Sequence, residues 1–243
     1  MAFGLPNLGN ALDSLLGRFG LPSELPIDPM PILASWFDEA VAAKATPNPD
    51  AFTLATSTPD GRPSARIVLC KSIDVRRGAI VFYSHRTGRK GRELEANPHA
   101  AAVFHFDHQG RQARVEGAVS LLSDEASDAY FARRSVLARL GAWASHQSEP
   151  IANRRVLLDA VREAAKRFGV GIAELLESSS DRPIPRPPYW GGFALHAARV
   201  ELWIGGDGRL HDRAVWNRTI GPASEALSQG SEAGPWTSTR LFP

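Results

Sequence analysis

Hydrophobic and polar positions alternate with a period of two through much of residues 51–122. Residues 51–57, 64–73, 79–84, 100–106 and 112–122 read as strands on that pattern. Asp60-Gly61 is a hairpin turn signal between the first two, and His108-Gln109-Gly110 marks a second hairpin between the last two. Helical spacing brackets this region. Asp28-Pro29 sets a capping side chain ahead of a proline suited to the first helical position. Ile32, Leu33, Trp36, Phe37, Ala40 and Val41 then form one apolar stripe, which Asn48-Pro49-Asp50 ends in a turn. A short helix is expected over 88–96, stopped by Asn97-Pro98. Ser123 caps another, which carries Asp124 and Glu125 where negative charge suits the helix dipole and runs to about residue 134. Further helices are expected over 136–144 and 153–168, the second with Val156, Leu157, Ala160, Val161 and Ala164 on one face.

A Ser/Pro-rich connector at 178–188 leads back to strands at 198–204, 210–217 and 237–241. In the Gly-, Pro- and Leu-rich stretch 1–27, Leu8, Leu12, Leu15, Leu16 and Phe19 recur at helical spacing, so a partly flexible segment with a short docking helix is expected. No internal repeat is present. Strands interleaved with short helices, without regular βαβ alternation, predict a mainly β protein of the α+β class: an antiparallel barrel decorated with helices.

Composition excludes several functions. The 243 residues can bury a substantial core, and a formal net charge of +2 with dispersed basic residues gives no footprint for nucleic acid. No apolar run is long enough to span a bilayer, and the first 25 residues lack a basic region followed by an apolar one. With Cys70 as the one cysteine, no internal disulfide can form, which suits a reducing compartment. The expectation is a cytoplasmic protein. His85, His99, His105, His108, His146 and His196 show no metal-ligand spacing, so no metal is assigned. Gly-rich nucleotide motifs and a Gly-x-Ser-x-Gly elbow are absent.

The residues that suit chemistry are cationic. Arg209-Leu210-His211-Asp212-Arg213 follows Gly205-Gly206, and in a strand Arg209, His211 and Arg213 would share one face. Such a face suits an anionic, electron-poor ligand, or equally a solvated edge strand. Arg66-Ile67-Val68-Leu69-Cys70-Lys71 has cations at both ends of an apolar strand, and Cys70 within it reads as packing. Arg89-Lys90 opens a helix after Gly88, where a cation opposes the dipole but suits a bound phosphate. Tyr130 and Arg134 stand four apart on the expected helix and, with Lys71, suit a second phosphate. Gln112 and the Gln147-Ser148 pair add polar groups that suit a heterocycle or solvent.

Taken in order, Arg66 to Lys71, Tyr83-Ser84 with Arg89-Lys90, Arg111-Gln112, Gly141-Ala142-Trp143 with Gln147-Ser148, Trp190-Gly191-Gly192-Phe193, Arg209 to Arg213 and the terminal Arg240-Leu241-Phe242-Pro243 resemble the pyridoxamine 5′-phosphate oxidase family. The resemblance runs from about Asp28 to the C-terminus. It implies an FMN-binding split β-barrel, homodimeric, with a single domain over 28–243 and a dimerisation region at about 190–243. FMN would lie at the subunit interface. Arg66, Ile67, Val68, Leu69, Lys71, Tyr83, Ser84, Arg89 and Lys90 would hold its phosphate and ribityl chain. Gln112, Gln147, Ser148, Trp203 and Arg213 would complete the flavin site, some from the second subunit. Lys71, Tyr130 and Arg134 match the substrate-phosphate ligands, and Arg209 with His211 the catalytic pair over the pyridine ring.

The implied reaction oxidises pyridoxamine or pyridoxine 5′-phosphate to pyridoxal 5′-phosphate, with O2 as acceptor and hydrogen peroxide as product. Three departures mark this chain. Ala138 stands where the family usually has a serine four residues after the arginine, with Arg139 next to it as a substitute cation. An Arg-x-x-Tyr segment is not found before Asp28, and the connector at 169–188 is long. The alternatives are an oxidase of the same fold acting on another reduced ring, as in phenazine biosynthesis, or a non-catalytic flavin or pyridoxal-phosphate binding protein.

Overall fold

The computed structural model describes residues 20–171, 174, 182–221 and 233–243, so the expected helix around residues 8–19 and the start of the connector lie outside the described residues. Among the described residues, nine strands form one antiparallel sheet: β1 (Ala51–Ser57), β2 (Pro63–Leu69), β3 (Ser72–Asp74), β4 (Ala79–His85), β5 (His99–Phe106), β6 (Arg111–Leu121), β7 (Trp190–Ile204), β8 (Asp212–Asn217) and β9 (Thr237–Leu241). The main path runs β2-β1-β5-β6-β7-β4-β3. Its two outer strands are consecutive in the chain, joined only by Cys70 and Lys71. A sheet whose opposite edges are tied by two residues must curl on itself, and that curl makes the barrel.

The joint explains a difference from the sequence pattern. The apolar run 64–73 predicts one strand, but it breaks at the joint. Cys70 N–H donates to Asp50 O at 2.8 Å, on the β1 side, whereas Lys71 N–H donates to Val81 O at 2.8 Å, on β4. Each residue thus serves a different edge.

The 15-residue β7 is longer than its hydrophobic pattern indicates, because Gly191 and Gly192 dilute the signal at its start. It pairs with β6 along its length, with β4 through residues 190–196 and with β8 through residues 199–204. The change of partner falls at a bulge: Glu116 pairs with Arg199 and Gly117 with Ala197, so Ala198 has no opposite residue. A side chain at Gly117 would bring its Cβ to 1.8 Å from His196 O, which makes glycine obligatory there. Arg218 braces the bulge, with its backbone N–H on Ala198 O and its Nε on Ala197 O, both at 2.8 Å.

Five helices pack around the sheet among the described residues: α1 (Met30–Ala43), α2 (Arg89–Ala96), α3 (Asp124–Ala132), α4 (Val136–Ala144) and α5 (Arg154–Arg167). Asp28 Oδ1 accepts from Met30 N–H at 2.8 Å, the expected cap with its frame one residue later. The barrel core stacks Phe52 on Phe104 at 5.1 Å and Phe82 on Phe193 at 5.1 Å. A smaller cluster of Phe131, Val136, Leu140, Ala164, Ile184 and Trp190 holds the helices to the start of β7. On α5 the expected apolar stripe is largely uncovered: Ala164 is buried, whereas Val156 and Leu157 are exposed.

Candidate functional site

A cavity of about 700 Å³ opens at the β2/β3 joint, between the barrel and the α3–α4 lobe. Arg66, Ile67, Val68, Leu69 and Lys71 line one wall; Tyr83, Ser84 and Lys90 line another; Tyr130, Arg134 and Gln147 complete it. Residues far apart in the sequence converge because the barrel seam brings β2 beside β4.

One connected set of hydrogen bonds organises the Arg66 side. Glu93, buried at 5% exposure on α2, accepts from Thr56 Oγ1 at 2.5 Å, Ser64 Oγ at 2.6 Å, Arg89 Nε at 2.9 Å and Arg66 Nη2 at 3.3 Å. Arg66 Nη1 also reaches Thr56 Oγ1 at 2.6 Å and Leu54 O at 3.2 Å. Burial by itself would raise the Glu93 carboxyl, but the bonds from Ser64, Thr56 and Arg89 outweigh it and hold it at about 2. Glu93 therefore stays ionised and locks two arginines together. Arg89 faces outward and does not line the cavity; its backbone N–H donates to Ser148 Oγ at 3.1 Å. Ser148 thereby caps α2, whose own N-cap, Gly88, has no side chain to do so. Gly88 leaves room for the Gln147 amide, since a Cβ there would sit 2.7 Å from its Oε1.

Lys90 is buried, and its Nζ donates to Gln147 Oε1 at 2.7 Å and Ser84 Oγ at 3.0 Å. Neither partner carries charge. Desolvation, aided by repulsion from Arg66, pulls this ammonium down to about 8. An anion at this point would relieve both effects.

A second polar group, with no hydrogen bond to the first among the described residues, lies towards α3 and α4. Tyr130 and Arg134 do meet in the cavity, but not as neighbours on one helix. The α3 helix ends at Ala132, and Arg134 lies in the tight connection to α4. Its guanidinium packs over Trp190 at 4.9 Å and Phe131 at 5.5 Å, and its buried Nη1 has no hydrogen-bond partner among the described residues. Tyr83 stacks on Tyr130 at 3.9 Å and on Trp190 at 5.4 Å, giving the cavity an aromatic wall. Lys71 pairs with Asp50 at 2.6 Å. Arg139 is buried away from the cavity and donates to Arg182 O at 2.8 Å, so it does not supply the substitute cation expected beside Ala138.

The remaining predicted residues gather elsewhere, around the far end of β7. Gln112 pairs with Trp203 across β6 and β7, and Trp203 pairs with Arg213 across β7 and β8. Buried Glu201 accepts from Arg213 Nη2 at 2.7 Å and Nε at 3.2 Å, and Arg213 Nη1 donates to Phe242 O at 2.9 Å. His211 lies 4.6 Å from Trp203 between ring centroids, and its Nδ1 accepts from Gly206 N–H at 3.2 Å, which leaves Nε2 to carry the ring proton. The expected strand start at 210 is corrected to Asp212. Arg209 stands in a 3-10 turn at φ +66°, so it does not share a strand face with His211 and Arg213. It is exposed, without a hydrogen bond or ion pair among the described residues.

Along β7, Trp190 in the first group and Trp203 in the second are separated by roughly 40 Å of strand. One chain thus carries the candidate residues in two groups at opposite ends of one strand. Sequence reasoning missed Glu93, Glu201 and His85, a buried imidazole lining the cavity with Nε2 3.0 Å from Ala142 O. The one available signal was Glu93 four residues after Arg89 on a short helix.

Comparison with known proteins decides the family. Residues 37–168 match the sequence profile of pyridoxamine 5′-phosphate oxidase, and residues 190–243 match that of the pyridoxine 5′-phosphate oxidase C-terminal dimerisation region. The chain belongs to the pyridoxamine 5′-phosphate oxidase family. Within it, the pyridoxine/pyridoxamine 5′-phosphate oxidase of Rubrobacter xylanophilus is 47% identical over 191 residues, covering 79% of this chain and 82% of the relative. The protein of the same name from Gluconobacter oxydans is 41% identical over 221 residues, covering 90% and 96%. Among solved structures, PhzG from Burkholderia lata, in complex with tetrahydrophenazine-1-carboxylic acid, aligns with a TM-score of 0.75 at 29% identity over 93% of this chain and 98% of that one. A pyridoxamine 5′-phosphate oxidase-related, FMN binding protein from Nostoc punctiforme shares the fold, with a TM-score of 0.62 at 16% identity over 91% and 100%. The split barrel expected from the sequence is therefore the fold of this family member. No helix among the described residues is long and apolar enough to cross a membrane.

The position of Lys90 sets a pH dependence of stability. Below about pH 8 the folded protein bears the full cost of burying the ammonium. As pH rises from about 8 towards 10.5, the folded state sheds this proton while the unfolded chain keeps it, so this group's contribution to stability rises. The gain is about 1.4 kcal/mol per pH unit across that window. Urea unfolding of the native chain and of Lys90→Met should show this rise in the native chain alone; parallel curves would mean that Lys90 stays charged throughout.

Proposed function

We propose that the protein is an FMN-dependent oxidase that converts pyridoxamine or pyridoxine 5′-phosphate to pyridoxal 5′-phosphate, with molecular oxygen as the terminal acceptor and hydrogen peroxide as product. The observation that carries this reading is the pair of cationic groups in one cavity, one organised around Glu93 and Lys90 and one around Arg134. Two phosphates, one on the cofactor and one on the substrate, fit two such groups. The donors suit anionic ligands, because the cavity's buried Arg134 Nη1 lacks a partner among the described residues and buried Lys90 lacks a counter-charge.

FMN, when bound, supplies the hydride acceptor that the side chains lack. Arg66, Ser84, Lys90 and Gln147 receive its phosphate and ribityl chain, with Arg89 and Ser148 buttressing them through Glu93 and the start of α2. Ile67, Val68 and Leu69 form the wall beside them, and Tyr83 fixes its width by stacking on Tyr130. Lys71, Tyr130 and Arg134 hold the substrate phosphate, for which Lys71 exchanges Asp50. Arg209 and His211 act over the pyridine ring, where His211 presents Nε2 and Arg209 an uncommitted guanidinium. Gln112, Trp203 and Arg213 face the flavin ring. The second group comes from the partner subunit of a homodimer, since the length of β7 keeps the two groups of one chain apart. Holding the reacting carbon against the acceptor and supporting charge as hydride leaves are the protein's share of catalysis.

A second reading, oxidation of another reduced ring, draws on the likeness to PhzG and on Ala138, which gives the cavity a methyl group in place of a hydroxyl. Anaerobic mixing of the FMN-loaded protein with pyridoxine 5′-phosphate, and separately with pyridoxamine 5′-phosphate, separates the two. Loss of the flavin's visible absorbance, restored by air with formation of pyridoxal 5′-phosphate, is the expected result. A flavin that stays oxidised with both compounds would overturn the vitamin B6 assignment.

The two-subunit site has its own test. Lys71→Ala and Arg209→Ala should each be inactive alone. Co-expressed, they should recover about a quarter of native activity, because half the dimers are mixed and each mixed dimer has one intact site. No recovery would place both groups within one chain. Glu93→Gln should weaken FMN binding about tenfold by releasing Arg66 and Arg89 from a charged partner, yet leave riboflavin, which has no phosphate, binding as before. Equal loss of both ligands in a fluorescence titration would reduce Glu93 to a packing role.

A further inference from the structure

Ser135 and Ala138 both line the cavity, three residues apart at the start of α4. Ser135 is the N-cap of that helix, and its Oγ accepts from Ala138 N–H at 3.3 Å. A hydroxyl carries one donor besides its acceptor lone pairs. With one lone pair engaged by the helix, the Ser135 O–H has no acceptor among the described residues. The preceding residue is Arg134, whose buried Nη1 is likewise unpaired among the described residues. Two adjacent residues thus offer unused donors on the cavity side, one charged and one neutral, while Ala138 offers only a methyl group.

We propose that Ser135 is a substrate-binding residue whose hydroxyl donates to the phosphate held by Lys71, Tyr130 and Arg134, supplying the donor that Ala138 lacks. This rests on the phosphate reading above. The cap contact serves the same end, because a donor on Oγ fixes its rotamer and polarises the O–H. Ser135 then selects for a phosphorylated ring over the same ring without phosphate.

The test is equilibrium binding of pyridoxal 5′-phosphate and of pyridoxal to the FMN-loaded dimer, followed by ligand absorbance. Ser135→Ala should weaken pyridoxal 5′-phosphate about tenfold and leave pyridoxal unchanged. Ser135→Asp retains a capping acceptor, and so the fold, but sets a carboxylate against the phosphate; its loss should be larger. Ser135→Thr should bind as the native protein does, and Ala138→Ser added to Ser135→Ala should restore most of the affinity. Native-like binding of pyridoxal 5′-phosphate by the Ala and Asp variants would leave Ser135 a helix cap and overturn the proposal. Equal weakening of both ligands would overturn it in favour of packing. A native protein that binds pyridoxal as tightly as its phosphate would fail differently, removing the phosphate site itself and Ser135's role with it.

Discussion

The bulge at Ala198 is the constraint from which the rest of the architecture follows. The 15-residue β7 lies beside β4 along one half of its length and beside β8 along the other, with a change of direction between them. The unpaired residue supplies that change, and local twist increases where it sits. Gly117 opposite admits the close carbonyl, and Arg218 occupies the freed acceptors while its guanidinium stacks on Trp236 at 4.3 Å. The β4 half of β7 then closes the barrel and carries Trp190 into the cavity. The β8 half leaves the barrel and carries Trp203 to the other group.

Concentrating Arg66, Lys71, Lys90 and Arg134 in one cavity carries a cost in repulsion and desolvation, and the fold distributes it unevenly. Arg66 and Lys71 have carboxylate partners in Glu93 and Asp50. Lys90 and Arg134 have none among the described residues: the first rests on neutral oxygens, the second on aromatic faces. The paired cations are held in place by the protein alone. The unpaired ones are held at a disadvantage that an anionic ligand removes. Strain of this kind, kept at a site by packing that surrounds it, is how a rigid scaffold reserves binding energy for a ligand.

The sequence was informative wherever a local rule sufficed. The β1–β2 and β5–β6 hairpins, the cap at Ser123 and the helix after Gly88 follow from turn chemistry and periodicity, and they stand as expected. It was silent where a residue answers to a distant partner. The break at Cys70 and Lys71 depends on which edge each residue bonds, which no window of sequence contains. The first half of β7 was hidden because its glycines are there for the neighbours: a Cβ at Gly191 would meet Arg86, and one at Gly192 would meet Leu122 and Tyr83. The left-handed turn at Arg209 was likewise unreadable, since alternation in Arg209, His211 and Arg213 looks the same whether or not the strand has begun. Glu93 escaped notice because a glutamate on a polar helix is ordinarily solvated; only the seam between β1, β2 and α2 makes it a buried anchor.

The second group is built differently from the first, and the difference bears on how the two meet. In the cavity, Lys90 and the Nη1 of Arg134 are buried before any ligand arrives. At the far end of β7 Glu201 is buried beneath Arg213, the Gly206 N–H behind His211 is half-buried, and Arg209 is exposed. Arg209 projects from a turn at positive φ, a conformation an arginine adopts only when the flanking chain imposes it. The turn also brings Leu210 O against Gly206, where a Cβ would lie 2.1 Å from it. Rigid roots under exposed tips are what a surface needs if it is to complete a site on another molecule without rearranging. The protein then has no reason to hold these tips buried in the single chain, where they would need partners of their own. In the two-subunit reading, burial of the second group is therefore deferred to assembly, and competence of the site is tied to it.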